Sequence, residues 1–294
     1  MKKLLFIDGN NMSYRTFWTH RHLSNKGVPV SLLYGFFKSL SILKKTHPEY
    51  KIVIVWDSKS ARRIAESTAA TEKGIIPSPY KATRGERNED FKSMFEQMDI
   101  LKEGLQFTNV QQVHMSGYEA DDVIYSYCKS ANPDDTDVLV ITSDKDYYQA
   151  IQDNVRILDS KQIEWTKSLF ESTYGITPAL WVDVGAIAGD TGDNIHGAVG
   201  WGEKTALKYV KEYGPLESVM SAIESKVVKS KKEIALLSFK ERCVVAKSLK
   251  QMDMVCGLPV LAVDCQAGDR KALQGFFIQR GFASLLTSVV SLCS

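Results

Sequence analysis

Thiols and imidazoles are scarce in this chain, which has five cysteines and five histidines among 294 residues. Cys128, Cys243, Cys256, Cys265 and Cys293 are odd in number, include no C-x-x-C pair and fit neither a zinc site nor a disulfide framework. Reduced thiols in a cytoplasm-like compartment are expected. His20, His22, His47, His114 and His196 form no H-E-x-x-H pattern, so zinc is not expected, and nothing marks a histidine base. No apolar run approaches the ~20 residues of a membrane span. Met1-Lys2-Lys3-Leu4-Leu5-Phe6-Ile7 imitates the start of a signal peptide, but Asp8 cuts its apolar run short. Internal repeats and low-complexity linkers are also lacking. The remaining composition, 44% hydrophobic and 24% charged, is that of a globular chain with room for one large domain or two smaller ones.

What stands out is acid in one place. Gly117-Tyr118-Glu119-Ala120-Asp121-Asp122 puts three carboxylates ahead of Val123, Ile124, Tyr127 and Cys128, which recur at helical spacing. The acids therefore sit in the first turn of a helix. Glu119 and Asp122 share a face, and two such charges ~6 Å apart repel by roughly 3 kcal/mol at an effective dielectric of ~20. One acid in a first turn suits the helix dipole; three together raise metal binding as an alternative.

The same residue type ends strand after strand. Leu4-Leu5-Phe6-Ile7 runs into Asp8-Gly9-Asn10-Asn11, Lys51-Ile52-Val53-Ile54-Val55-Trp56 into Asp57, and Val138-Leu139-Val140-Ile141-Thr142-Ser143 into Asp144-Lys145-Asp146. A weaker strand, 110–115, precedes the Glu119 helix. Helices read over 13–18 and 32–43, and short strands over 155–158 and 162–165. Continuous apolar strands alternating with helices predict an α/β fold, a mostly parallel sheet with helices on both faces. Ligands of such sheets bind beyond the carboxyl ends of the strands, which is where these acids are delivered.

The stretch 57–119 holds no strand. Helices read over 61–71 and 88–104, flanking a Pro/Gly-punctuated loop with Tyr80, Lys81 and Arg84. A ring beside cations suits nucleic acid, by base stacking and phosphate pairing. Further on, Gly189-Asp190-Thr191-Gly192-Asp193-Asn194 adds two acids. Gly197, Gly200 and Gly202 then lead through Lys204 and Thr205 into a helix over 206–213, a layout that can bring backbone amides to a phosphate. It is not a P-loop: the spacing before Lys204 is wrong and no strand precedes it. A basic helix over 226–250 reads as a solvated face or a nucleic-acid flank.

Asp8, Asp57, Glu119, Asp121, Asp122, Asp144, Asp146, Asp190 and Asp193 make an acidic set in a body where the 37 Lys and Arg residues then far outnumber the remaining acids. All-oxygen donors favour hard cations such as Mg²⁺ or Mn²⁺, and a basic surround favours a polyanion. Metal-assisted phosphodiester hydrolysis combines the two.

Five motifs in order, Asp8-Gly9-Asn10-Asn11, Glu119-Ala120-Asp121-Asp122, Ser143-Asp144-Lys145-Asp146, Gly189-Asp190-Thr191-Gly192-Asp193-Asn194 and the Gly-rich stretch ending Lys204-Thr205-Ala206, resemble the flap endonuclease / 5′→3′ exonuclease family, in its free-standing bacteriophage or bacterial form. The resemblance implies a PIN-like nuclease domain over 1–180 with a helical arch at about 61–105. It also implies a helical DNA-binding part over 181–294 containing a helix–hairpin–helix-type element, with K⁺ held by backbone carbonyls. Asp8, Asp57, Glu119 and Asp121 would hold one Mg²⁺, with Mn²⁺ able to substitute; Asp144, Asp146 and Asp193 would serve a second, and Asp122 and Asp190 would support through water. Lys81 would stabilise the scissile phosphate beside Arg84, with Tyr80 stacking on a base. Gly197, Gly200, Gly202, Lys204 and Thr205 would contact the duplex. The substrate would be 5′-flap, nicked or 5′-ended DNA, met by a cytoplasmic monomer. Gln274-Gly275-Phe276-Phe277 has the wrong spacing for a sliding-clamp motif. The alternatives are a PIN-type ribonuclease, a haloacid-dehalogenase-like phosphohydrolase, in which Asn10 would stand where that chemistry needs an acid, and a non-catalytic DNA-binding protein.

Overall fold

The computed structural model describes residues 1–83, 89–261 and 267–294. Its centre is a six-stranded sheet. β1 (Lys2–Asp8) lies between β4 (Lys51–Trp56) and β6 (Thr136–Ile141), flanked outward by β5 (Gln111–His114) on one side and β7 (Val155–Leu158) and β8 (Glu164–Trp165) on the other. All pairings are parallel except that of β7 with β8. A separate two-residue hairpin, β2 (Ser24–Asn25) and β3 (Val28–Pro29), has no counterpart in the apolar pattern.

The central strands are apolar without alternation because both faces are covered. Phe6, Val53, Val55, Val138 and Val140 face one core, and Leu5, Ile7, Ile52, Ile54 and Leu139 face the other. The second core is closed by α1 (Gly9–Thr19), α2 (Ser31–Thr46) and the last helices, α12 (Arg270–Gln279) and α13 (Val289–Cys293). Phe37 stacks edge-on against Phe276 and Phe277, and Ser41 bonds Ser288. The chain's end therefore packs on its beginning, and Phe276 and Phe277 are core residues.

Over the first core lie α5 (Ala120–Ser130), α6 (Lys167–Tyr174), α7 (Trp181–Ala188), α8 (Glu203–Tyr213), α9 (Leu216–Glu224), α10 (Lys231–Ser238) and α11 (Lys240–Lys250). The single basic helix expected over 226–250 is two helices that meet at Phe239, with Ser230 and Glu233 forming a capping box at the start of α10. Between β4 and β5, α3 (Ala61–Glu72) and α4 (Glu89–Leu105) are the two legs of the strandless insertion. Among the described residues, no helix is long and apolar enough to cross a membrane.

Candidate active site

The carboxyl ends of β1, β4 and β6 and the start of α5 open onto one cavity of about 580 Å³. Asp8, Asp57, Glu119, Asp121, Asp144, Asp146 and Asp193 line it, with Tyr80, Lys81, Arg63 and Lys250. Several of these acids are placed by backbone. Asp8 caps α1 by accepting from Asn11 N (2.8 Å), Asp57 accepts from Ala120 N (2.8 Å), and Asp144 caps the following 3₁₀ turn through Asp146 N (2.8 Å). Glu119 is the N-cap of α5 and forms a capping box with Asp122. Asp8, Glu119 and Asp144 thus serve the fold as caps while lining the cavity.

Their charges are unequally met. Asp8 is 9% exposed and accepts from Tyr147 Oη at 3.1 Å. Burial and the neighbouring Asp57 push its carboxyl up. Asp57 and Asp144 are reached by water yet walled in by the cavity; enclosure and acidic neighbours raise them to about 6 and about 7. None of these three forms an ion pair with a described residue.

The other acids are drawn onto cations that the sequence reading left out or misplaced. Arg63, only 1% exposed, reaches Glu119 (2.7 Å), Asp121 (3.2 Å) and Asp122 (2.8 Å) and donates through Nε to Leu249 O (3.0 Å). Asp122 is fully buried beneath the cavity, accepting also from Asp253 N. Lys250, read as part of a solvated or DNA-flanking face, is 6% exposed and bonds Asp146 (2.7 Å) and Asp190 (2.6 Å). Signs of both were present: Arg63 lies on one stripe with Ser67 and Ala70, and Lys250 with Cys243 and Ala246. A cation within a small or apolar stripe must find carboxylates.

The insertion docks directly on the acids. Asn194 Nδ2 holds Ser78 Oγ and Pro79 O, and Lys81 N donates to Asp193 O (2.8 Å). Tyr80 Oη donates to Glu119 (2.8 Å) and Asp193 (3.2 Å), and Lys81 Nζ bonds Glu119 at 2.8 Å. Lys81 adopts φ +57°, a strained backbone for a non-glycine residue that the docked loop enforces. Arg84 lies outside the described residues.

Among the described residues, no three Asp, Glu, His or Cys side chains are grouped to hold a metal ion as they stand. Arg63, Lys81 and Lys250 hold Glu119, Asp121, Asp122, Asp146 and Asp190 in ion pairs. The donor chemistry nonetheless fits a hard divalent cation: all ligating atoms are oxygens, and Asp8, Asp57 and Asp144 line one cavity without a paired cation among the described residues.

The glycine-rich segment lies beside a second hollow with Asp190, Arg242 and Lys250. Gly200 takes φ +80°, and Gly202 is the N-cap of α8, which places exposed Lys204 and half-buried Thr205 in its first turn rather than ahead of it. Gly197 has a structural role of its own: a Cβ there would collide with Gly189 N and Ile187 O. Backbone cannot swing aside, so Gly197→Ala should cost about 1–3 kcal/mol, visible in calorimetry as a melting point several degrees lower. An unchanged melting point would refute that packing argument.

Comparison with known proteins gives this arrangement a lineage. A family model described as the 5′-3′ exonuclease N-terminal resolvase-like domain matches residues 3–175, and one described as the 5′-3′ exonuclease C-terminal SAM fold matches 176–272. A thermostable DNA polymerase I of Thermus thermophilus is 32% identical over 288 residues, covering 97% of this chain and 33% of its own length. A 5′-3′ exonuclease of Aquifex aeolicus is 32% identical over 246 residues, 82% of this chain and 81% of its own. The chain thus spans about a third of the length of the polymerase relatives it matches. In fold it is similar to a bacteriophage T5 flap endonuclease solved as a pseudo-enzyme-product complex with DNA and metal ions, with TM-score 0.70 and 20% identity over 98% of this chain and 99% of that one. With both halves of the sequence matched in order and the acids converging as described, this chain belongs to the 5′-3′ exonuclease family.

Proposed function

We propose that the chain is a structure-specific 5′ nuclease that hydrolyses phosphodiester bonds in branched or 5′-ended DNA. The observation that carries this reading is the single cavity in which acids from four separate strand ends and helix starts meet the docked Tyr80–Lys81 loop. Asp8, Asp57, Glu119 and Asp121 would hold one Mg²⁺, or Mn²⁺ in its place. Asp144, Asp146 and Asp193 would serve a second, with Asp190 supporting through water; Asp122, expected to do the same, is fully buried on Arg63 and would hold that guanidinium instead. Bound divalent cations supply a nucleophilic water at neutral pH and offset charge on the leaving oxygen.

The protein's own groups do the rest. Lys81 Nζ, now 2.8 Å from Glu119, would pair with a phosphate oxygen as negative charge grows on it. Arg84, three residues on, would add a second cation, and Tyr80 a stacking surface if its hydroxyl leaves the acids. Gly197–Gly202 with Lys204 and Thr205 would track the duplex backbone, with K⁺ at the carbonyls of that loop. The division of labour broadly follows sequence order: 1–180, with the arch at 61–105, would supply most of the cutting site, and 181–294 would grip duplex while adding Asp190 and Asp193 to that site. We expect a monomer acting in the cytoplasm without a sliding clamp.

The reading is tested by incubating an end-labelled 5′-flap DNA with the protein, with Mg²⁺ or with EDTA. Mg²⁺-dependent cutting at the flap base is expected; intact DNA under both conditions, or cleavage of RNA alone, would overturn it. Lys81→Ala should lower kcat about 10²–10³-fold while KM moves only a few-fold, since the charge it meets develops in the transition state. A change confined to KM would make Lys81 a binding contact.

A further inference from the structure

Lys250 is the last residue of α11, and its ammonium lies between Asp146 of the cavity wall and Asp190 of the adjoining hollow. Nζ bonds both oxygens of Asp146, at 2.9 and 2.7 Å, and Asp190 Oδ2 at 2.6 Å. Its position is built. The stem runs over Gly185 of α7, where a Cβ would stand 3.4 Å from the lysine Cε, and its carbonyl is held by Gln149 Nε2 (3.1 Å). The C-terminus of a helix also favours a cation. Across the same cavity, Asp8, Asp57 and Asp144 have no such resident charge among the described residues. The acids thus divide into an open group, with Asp144 between the two ion positions proposed above, and a group already neutralised, Glu119 and Asp121 by Arg63 and Lys81 and Asp146 and Asp190 by Lys250.

We infer that Lys250 stands in for the second divalent cation, so that the resting protein takes up one divalent ion firmly and a second only against the lysine. This rests on the nuclease reading and sets the order in which its ions arrive. An ammonium is a single charge with three donors and no open coordination. An ion entering the Asp146 side must displace it, and a cation that competes with a buried ion pair loses affinity in proportion. Lys250 is a positioning residue in this scheme, acting through Asp146 and Asp190.

The test is Mn²⁺ binding to the metal-free 294-residue chain, followed by the electron paramagnetic resonance of free Mn²⁺. The unmodified protein is expected to bind one ion at least tenfold more tightly than a second. Lys250→Met should tighten the second ion at least tenfold, and Lys250→Arg should restore the unequal pair. Two ions of equal affinity in the unmodified protein would overturn the inference whether or not the variants fold, as would a second ion unchanged in Lys250→Met, and in either case DNA cleavage would still stand. No Mn²⁺ uptake by the unmodified protein, together with no cleavage of flap DNA, would remove the nuclease reading itself.

Discussion

Replacing Arg63 by methionine should destabilise the protein by about 3–5 kcal/mol, the usual consequence of removing one member of a buried ion network. The guanidinium is 1% exposed and is the shared partner of Glu119, Asp121 and Asp122. Burial alone would lower its proton affinity, but these acids outweigh burial and raise it, so it is charged at any working pH. Methionine fills similar space and leaves three carboxylates crowded at the start of α5, with Leu249 O also losing its donor. Arg63→Lys should recover only part of the loss, because a single ammonium cannot span carboxylates that the planar fork reaches together. Urea denaturation at low divalent concentration measures both. A loss below about 1 kcal/mol for Arg63→Met would mean that water or rearranged side chains satisfy the acids, and the network described here would not be what holds α3 to α5.

Asp144→Asn should abolish cleavage, by about 10³-fold or more in single turnover on flap DNA, with duplex affinity within a few-fold. The substitution is nearly isosteric, and an asparagine oxygen can still accept from Asp146 N, so the 3₁₀ turn keeps its cap. What disappears is one negative donor among Asp8, Asp57 and Asp144, on which a divalent cation depends. Because enclosure and acidic neighbours hold Asp144 at about 7, its neutral replacement should leave the metal-free fold as stable or slightly more so. Fluorescence anisotropy with Ca²⁺ present would measure binding, and a quenched time course would measure chemistry. A variant that cuts at a normal rate would remove Asp144 from the site; one that fails to bind DNA would make it a DNA contact.

The core of the architecture was open to sequence reading because its causes are local. β1, β4 and β6 are apolar runs buried on both faces, each followed closely by an acid; the Asp8 and Asp144 side chains cap the turns after β1 and β6, so pattern and position coincide there, whereas Asp57 after β4 accepts from Ala120 N across the sheet edge. The start of α5 was legible for the same reason: Glu119 and Asp122 satisfy backbone groups of their own helix. Lys250 was misread because spacing along a helix says which residues share a face, not which face is covered. Its fate depends on α7 and on an aspartate 60 residues earlier. Gly197 was read as a duplex contact, and its close approach to Gly189 and Ile187 is likewise a fact of packing.

Sequence by itself determined the strand order of acids, the helical legs of the insertion and the excess of basic residues around an acidic set, since these follow from backbone periodicity and from side chains bonding their own neighbours. Only the tertiary structure decided how that acidic charge is shared out. Coulomb energy between carboxylates and the nearest cation depends on separations of a few ångströms across the cavity, and those are set by where α3, α11 and the Tyr80–Lys81 loop come to rest.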